Sequence, residues 1–143
     1  MNRKVFAIIT LLLVSVLLLS ACGAAEKLKE YELGTDKIPS INATLGEERK
    51  VTGVSTGTDN GVQYKQYTYQ SESTLNDLIK YTVYLRNNGW TVTKEYDLNV
   101  ASGEAQLAKE SADSGKILVM SIAFEGNSYA VRINKLDGSL TRN

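Results

Sequence analysis

The sequence predicts an α+β domain: an antiparallel sheet of about six strands with one amphipathic helix packed on one face, in the order ββαββββ. Three observations carry this expectation. A single stretch, residues 74–88, sets apolar side chains at helical spacing. Flanking it, short Val-, Ile-, Thr- and Tyr-rich segments alternate apolar and polar side chains as strands do. Tight-turn signals separate these segments (Asp59-Asn60-Gly61, Ala101-Ser102-Gly103, Asp113-Ser114-Gly115, Glu125-Gly126-Asn127), and connections that short require antiparallel neighbours.

The chain opens with Arg3 and Lys4, followed by an uncharged Leu/Val/Ile-rich run from Val5 to Leu19, of signal-peptide length. Leu19-Ser20-Ala21-Cys22 follows at once, with Gly23 next, and Cys22 is the single Cys of the chain. These residues resemble the signal segment and lipobox of bacterial lipoproteins. The resemblance covers residues 1–23. It implies that residues 1–21 are a signal peptide cut off by a dedicated peptidase, and that Cys22 carries a diacylglyceryl group. It also implies a cell-membrane location, lipid-anchored and facing outside the cytoplasm. Two chains on one residue give a stable anchor, whereas a single acyl chain binds a membrane only reversibly. Two other readings stay open. One is a transmembrane helix, for which the run is short against a hydrocarbon core of about 30 Å. The other is an ordinary secretory signal followed by a chance Cys. Residues 22–30, small and charged, read as the lipidated tether, and residues 31–143 as a single α+β domain.

Residues 31–47 show no clear period. Pro39 marks irregular or extended chain, and Leu33, Ile38, Ile41 and Leu45 are positioned to cover one edge of the core. Arg49–Thr56 reads as a strand, Asn60-Gly61 as a hairpin turn tolerant of positive φ, and Val62–Ser71 as the returning strand. Tyr64, Tyr67 and Tyr69 change parity along that strand, which suggests a bulge or a strand covered on both faces. Ser73 then serves as N-cap for a helix over Thr74–Asn88. Its stripe is Leu75, Leu78, Ile79, Thr82 and Leu85 with Tyr81 beside them; Asp77 and Arg86 complement the two ends of the helix dipole. Gly89 fits the left-handed position that ends a helix. Beyond it Trp90, Val92, Tyr96 and Leu98 share one strand face. Glu104–Glu110 is a weaker strand, Lys116–Phe124 the most apolar and therefore central one, and Tyr129–Leu136 the last.

Composition narrows the chemistry. With Arg3 and Lys4 removed, the chain carries two more acidic than basic side chains, so no basic surface is available for nucleic acid. It contains no His, the commonest general base and a common metal ligand. With Cys22 lipidated no thiol remains, so neither zinc nor a disulfide is expected, and no cofactor is implied. Gly53-Val54-Ser55-Thr56-Gly57 matches the G-x-S-x-G pattern of serine hydrolases, but that pattern needs a strand–elbow–helix setting and a His base. The Asp-containing turns at 59–61 and 113–115 lack the repeated acidic ligands of a calcium loop and read as turns. Lys94, Glu95, Asp97, Glu104, Lys109 and Glu110 read as a mixed-charge strand surface; a pair of them serving as catalytic carboxylates is the alternative.

The Tyr content, eight residues, is the remaining signal. Tyr67 and Tyr69 share a strand face and Tyr84 lies on the helix flank. The three form the candidate binding surface, against the alternative of plain cross-strand Tyr packing. The sequence therefore points to a membrane-anchored, extracytoplasmic, non-enzymatic binding or accessory domain of the bacterial envelope. The expected partners are the membrane, through Cys22, and an envelope protein or cell-wall ligand. The alternative is an envelope enzyme using carboxylate or Ser/Lys chemistry without His.

Overall fold

The computed structural model describes residues 28–97 and 99–141. Cys22 and the flanking Leu19, Ser20, Ala21 and Gly23 lie outside the described residues. Among the described residues the fold is α+β, with a six-stranded sheet, a separate two-stranded sheet and two helices.

Residues 31–47 resolve into a hairpin and one short helix. Strands β1 (Glu30–Leu33) and β2 (Asp36–Pro39) pair antiparallel around Gly34, whose φ of 62° suits glycine. Alternation sends Tyr31, Leu33 and Ile38 into the core. Glu30 already belongs to β1 and Leu28 packs on the core, so ordered structure begins earlier than a tether ending at Glu30 would allow. Pro39 ends β2, and Ser40 caps helix α1 (Ile41–Leu45), its hydroxyl accepting from the Ala43 N–H. Gly46 closes α1 at φ 69°.

Strands β3 (Lys50–Asp59) and β4 (Val62–Gln70) form the expected hairpin, with Asn60 and Gly61 both at positive φ. The irregularity anticipated from the Tyr spacing of β4 lies in β3, between Val51 and Gly53; β4 itself pairs with β8 (Ser128–Asp137) without a break. Tyr64 simply faces the opposite side of the sheet from Tyr67 and Tyr69, as a period of two requires.

Helix α2 (Thr74–Asn87) follows. Ser73 occupies the N-cap position but makes no side-chain cap. That work falls to Ser71, whose hydroxyl accepts from the Ser73 N–H and donates to Asp77 in the first turn. The buried face is Thr74, Asp77, Leu78, Tyr81, Thr82 and Leu85, whereas Leu75, Ile79 and Val83 are exposed. The helix is thus rolled away from the expected stripe, because Arg49 reaches down to Asp77 and draws that side of the helix inward. Gly89, at φ 86°, ends it as anticipated.

Strand β5 (Thr91–Lys94) has a register shift after Val92 and ends before Tyr96, and the Asn99 N–H bonds the Asp97 carboxylate; Leu98 lies outside the described residues. Trp90 is buried, and Tyr96 packs against Phe124 with ring centroids 5.8 Å apart. Strands β6 (Ser102–Glu110), β7 (Lys116–Glu125) and β8 complete an all-antiparallel sheet of order β3-β4-β8-β7-β6-β5. The apolar β7 is central, as predicted. α2 and the β1–β2 hairpin contribute side chains to the same core as one sheet face: Tyr31 stacks on Tyr67 at 4.5 Å, Tyr69 on Tyr129 at 5.2 Å, and Leu78, Tyr81 and Leu85 join Met120, Ile122 and Ile133. The other sheet face is mixed: Gln66, Gln106, Ser121, Arg132 and Asn134 share it with Val119, Ala123 and Ala130.

Candidate functional site

The outer sheet face is laid out by register. One row across the strands reads Gly53, Thr68, Ala130, Ala123, Glu104. The next reads Ser55, Gln66, Arg132, Ser121, Gln106, Lys94. A third reads Gly57, Tyr64, Asn134, Val119, Ala108. The first row is made of small side chains over four strands, and it opens a shallow trough of about 660 Å³ lined by Thr68, Ala123 and Ala130 with Ser102, Ser128, Glu104 and Lys94.

Three of the charges on this face, Lys94, Glu104 and Arg132, have polar partners, and Glu125 at the trough's end adds a further carboxylate. Gln106 donates to Glu104 at 3.0 Å, and Lys94 lies 3.5 Å from the same carboxylate. The Gln106 bond, reinforced by Lys94, holds Glu104 below the usual range for a Glu carboxyl, so it stays ionised. Arg132 stacks 4.0 Å above the Tyr64 ring while its N–H groups reach Asn134 at 3.3 Å and Asp59 at 3.2 Å. Tyr64 lies close over Gly57, where an added Cβ would come within 3.1 Å of the ring. Gly57 is what lets the aromatic ring lie down. Tyr64 and Arg132 thus form a stacked aromatic–guanidinium pair, the residue types that anchor recognition surfaces.

The predicted Tyr surface is corrected. Tyr67 and Tyr69 face the core, 2% and 0% exposed, because the β1–β2 hairpin covers them. The Tyr69 and Tyr31 hydroxyls bond each other at 2.7 Å, and the Ile41 N–H donates to Tyr31. Burial raises the pKa of both phenols, so both stay neutral. Tyr84 is half-buried beside a cleft of about 290 Å³ between the end of α2 and β2, shared with Trp90, Asn88 and Lys109. The three residues form no common surface. Tyr64 was the aromatic to choose; its parity, opposite to Tyr67 and Tyr69, was visible in the sequence.

Two polar clusters lie on the helix side. Lys135, 6% exposed at its side chain, sits 2.7 Å from Asp36 and 2.6 Å from Asp113. Ser111 donates to Asp36 at 2.6 Å, the Ala112 N–H at 2.7 Å, and Thr35 donates to Asp113 at 2.6 Å. Burial opposes ionisation of Asp36, but Ala112, Lys135 and Ser111 outweigh it and lower its pKa. Burial likewise opposes charge on Lys135, and the two carboxylates outweigh it and raise its pKa. The cluster clasps the β1–β2 hairpin to the β6–β7 turn and to β8. In the second cluster, Arg49 grips Asp77 through two bonds of 2.7 and 2.9 Å, with Ser71 on the same carboxylate at 2.6 Å.

Ser55 of the G-x-S-x-G match lies in mid-strand on β3, exposed and opposite Gln66, with no elbow into a helix. Asp59 and Asn60 serve the hairpin turn, and Asp113 serves the Lys135 clasp. Among the described residues no helix is long and apolar enough to cross a membrane. Comparison with protein-family models, with curated proteins and with solved structures found no match to this chain.

Proposed function

We propose that this chain is an envelope lipoprotein, anchored through Cys22, whose domain acts as a non-enzymatic binding or accessory module that meets its partner with the outer sheet face. One observation carries the reading: that face is an open, almost charge-balanced trough of small side chains with the Tyr64–Arg132 stack beside it. A shallow floor of Ala and Thr accepts a flat or convex protein or glycan surface. On the same face, Arg132 one row and Tyr64 two rows from that floor supply contact area and directional hydrogen bonds.

Among the described residues the Ser/Lys form of the enzymatic alternative would use Ser111 and Lys135, which share Asp36. General-base chemistry needs the neutral amine. Here two carboxylates favour the ammonium, which supports a structural clasp over a Ser/Lys pair. The lipobox remains the reason to place the domain at a membrane, and two chains on Cys22 are what make such a tether stable.

Two measurements test the reading. Radiolabelled palmitate should label the wild-type chain, and Cys22→Ser should lose the label and accumulate precursor; normal processing and labelling of that variant would refute the anchor. Cross-linking pull-down in cells, comparing the wild type with Ala130→Arg, should show a partner lost on substitution while the fold persists. Equal capture by both would remove the outer face as the binding surface.

A further inference from the structure

The two edges of the six-stranded sheet are unlike. β5 is four residues long, is interrupted by a register shift and ends in Lys94. Short length, irregular pairing and a terminal Lys are the usual protections of an edge strand. β3 is ten residues long, and from Val51 to Thr58 it carries no charge: Val-Thr-Gly-Val-Ser-Thr-Gly-Thr. Its pairing with β4 runs unbroken from Gly53 to Asp59 after the single irregularity near Thr52. Among the described residues no strand lies on its outer side. Every residue from Thr52 to Asp59 is exposed, including Val54 at 53%.

We infer that the β3 edge is a docking strand for a second copy of this chain, joined β3 to β3 in antiparallel pairing about a two-fold axis. The charge pattern selects this partner and this direction. The uncharged stretch meets itself with no like-charge contact. Lys50 stands at one end and Asp59 at the other, so antiparallel pairing keeps each away from its own copy, whereas parallel pairing in register would set like charges side by side. A two-fold axis normal to the sheet sets one residue opposite its own copy. Centring the axis on Thr56 uses all of the regular segment, with Val54 of one chain opposite Thr58 of the other and Gly53 opposite Asp59. β-Branched pairs of this kind favour strand association. The paired sheet would run through both copies and join two outer faces into one surface.

The test uses the full chain in its native membrane. Cys22 is its single Cys, so an introduced thiol reports alone if Cys22 is lipidated. Thr56→Cys, treated with a short bismaleimide, should give a species with the mass of two copies. Thr93→Cys on β5 and the wild type should not. Adding Val54→Lys and Thr58→Lys places ammonium groups opposite each other across the axis and should cut the yield at least tenfold, with the melting temperature held within a few degrees. The inference is overturned if Thr56→Cys links no better than Thr93→Cys, if the double Lys variant links as well as its parent, or if the linked species contains a different protein. Linking of the wild type through Cys22 would instead contradict the lipid anchor, and so separates that failure from this one.

Discussion

Lys135 shows how single residues hold this domain together. Its ammonium is buried between Asp36 and Asp113, and the Asp36 side chain is as buried as its own. Removing one member of a buried pair strands the other, at a cost of about 3 kcal/mol. Lys135→Met should therefore lower stability by roughly that amount, measured by urea denaturation; a loss below about 1 kcal/mol would mean the clasp is solvated. The pH dependence follows from the same groups. Asp36 and Asp113 have lowered pKa values in the fold, so their contribution is complete above the ordinary carboxylate range and is lost as pH falls below about 4. Lys135 and the buried Tyr31, Tyr69 and Tyr81 have raised values, so their contribution is complete below about 10 and lost as pH rises past it. Thermal melts across pH should show a plateau between these limits, and Lys135→Met should shrink the acid limb. None of this was legible in the sequence, because Asp36, Asp113 and Lys135 are far apart along the chain and each resembles an ordinary surface charge.

Helix α2 and the β1–β2 hairpin show what an element's period does and does not reveal. The period gave a helix with close to its true ends, since Gly89 and the apolar spacing are local signals. It misjudged the roll. Leu75 and Ile79 lie outside while Asp77 lies inside, because the Asp77–Arg49 bond joins residues distant in sequence. Leu78→Ala should cost about 2 to 5 kcal/mol, whereas Ile79→Ala should stay within about 0.5 kcal/mol. Equal costs in chemical denaturation would restore the expected stripe of Leu75, Leu78, Ile79, Thr82 and Leu85. The hairpin was missed for a related reason. Its strands are four residues each, too short for alternation to stand out, and the Tyr-on-Tyr stack that fixes it belongs half to β4. Without that cover, Tyr67 and Tyr69 read as a solvent-facing pair.

For the whole molecule, turn chemistry and the meander it implies were the most legible features, whereas the pairing of β4 with β8 joins strands distant in the chain and was not legible. The last three hairpin-linked strands and the central place of β7 follow from short turns and continuous apolar content. The outer face was legible as polar but not as a trough, because its floor exists only once Thr68, Ala130 and Ala123 fall into register from separate strands. The proposed function puts the partner on this face. The most direct measurement is photo-cross-linking in cells, with a photoreactive side chain at Ala123 on the outer face or at Ile79 on the exposed flank of α2. A defined partner should be captured from position 123, lost when Arg132→Ala removes the Tyr64–Arg132 stack, and absent from position 79. Capture from position 79 alone, or from 123 regardless of Arg132, would contradict that proposal.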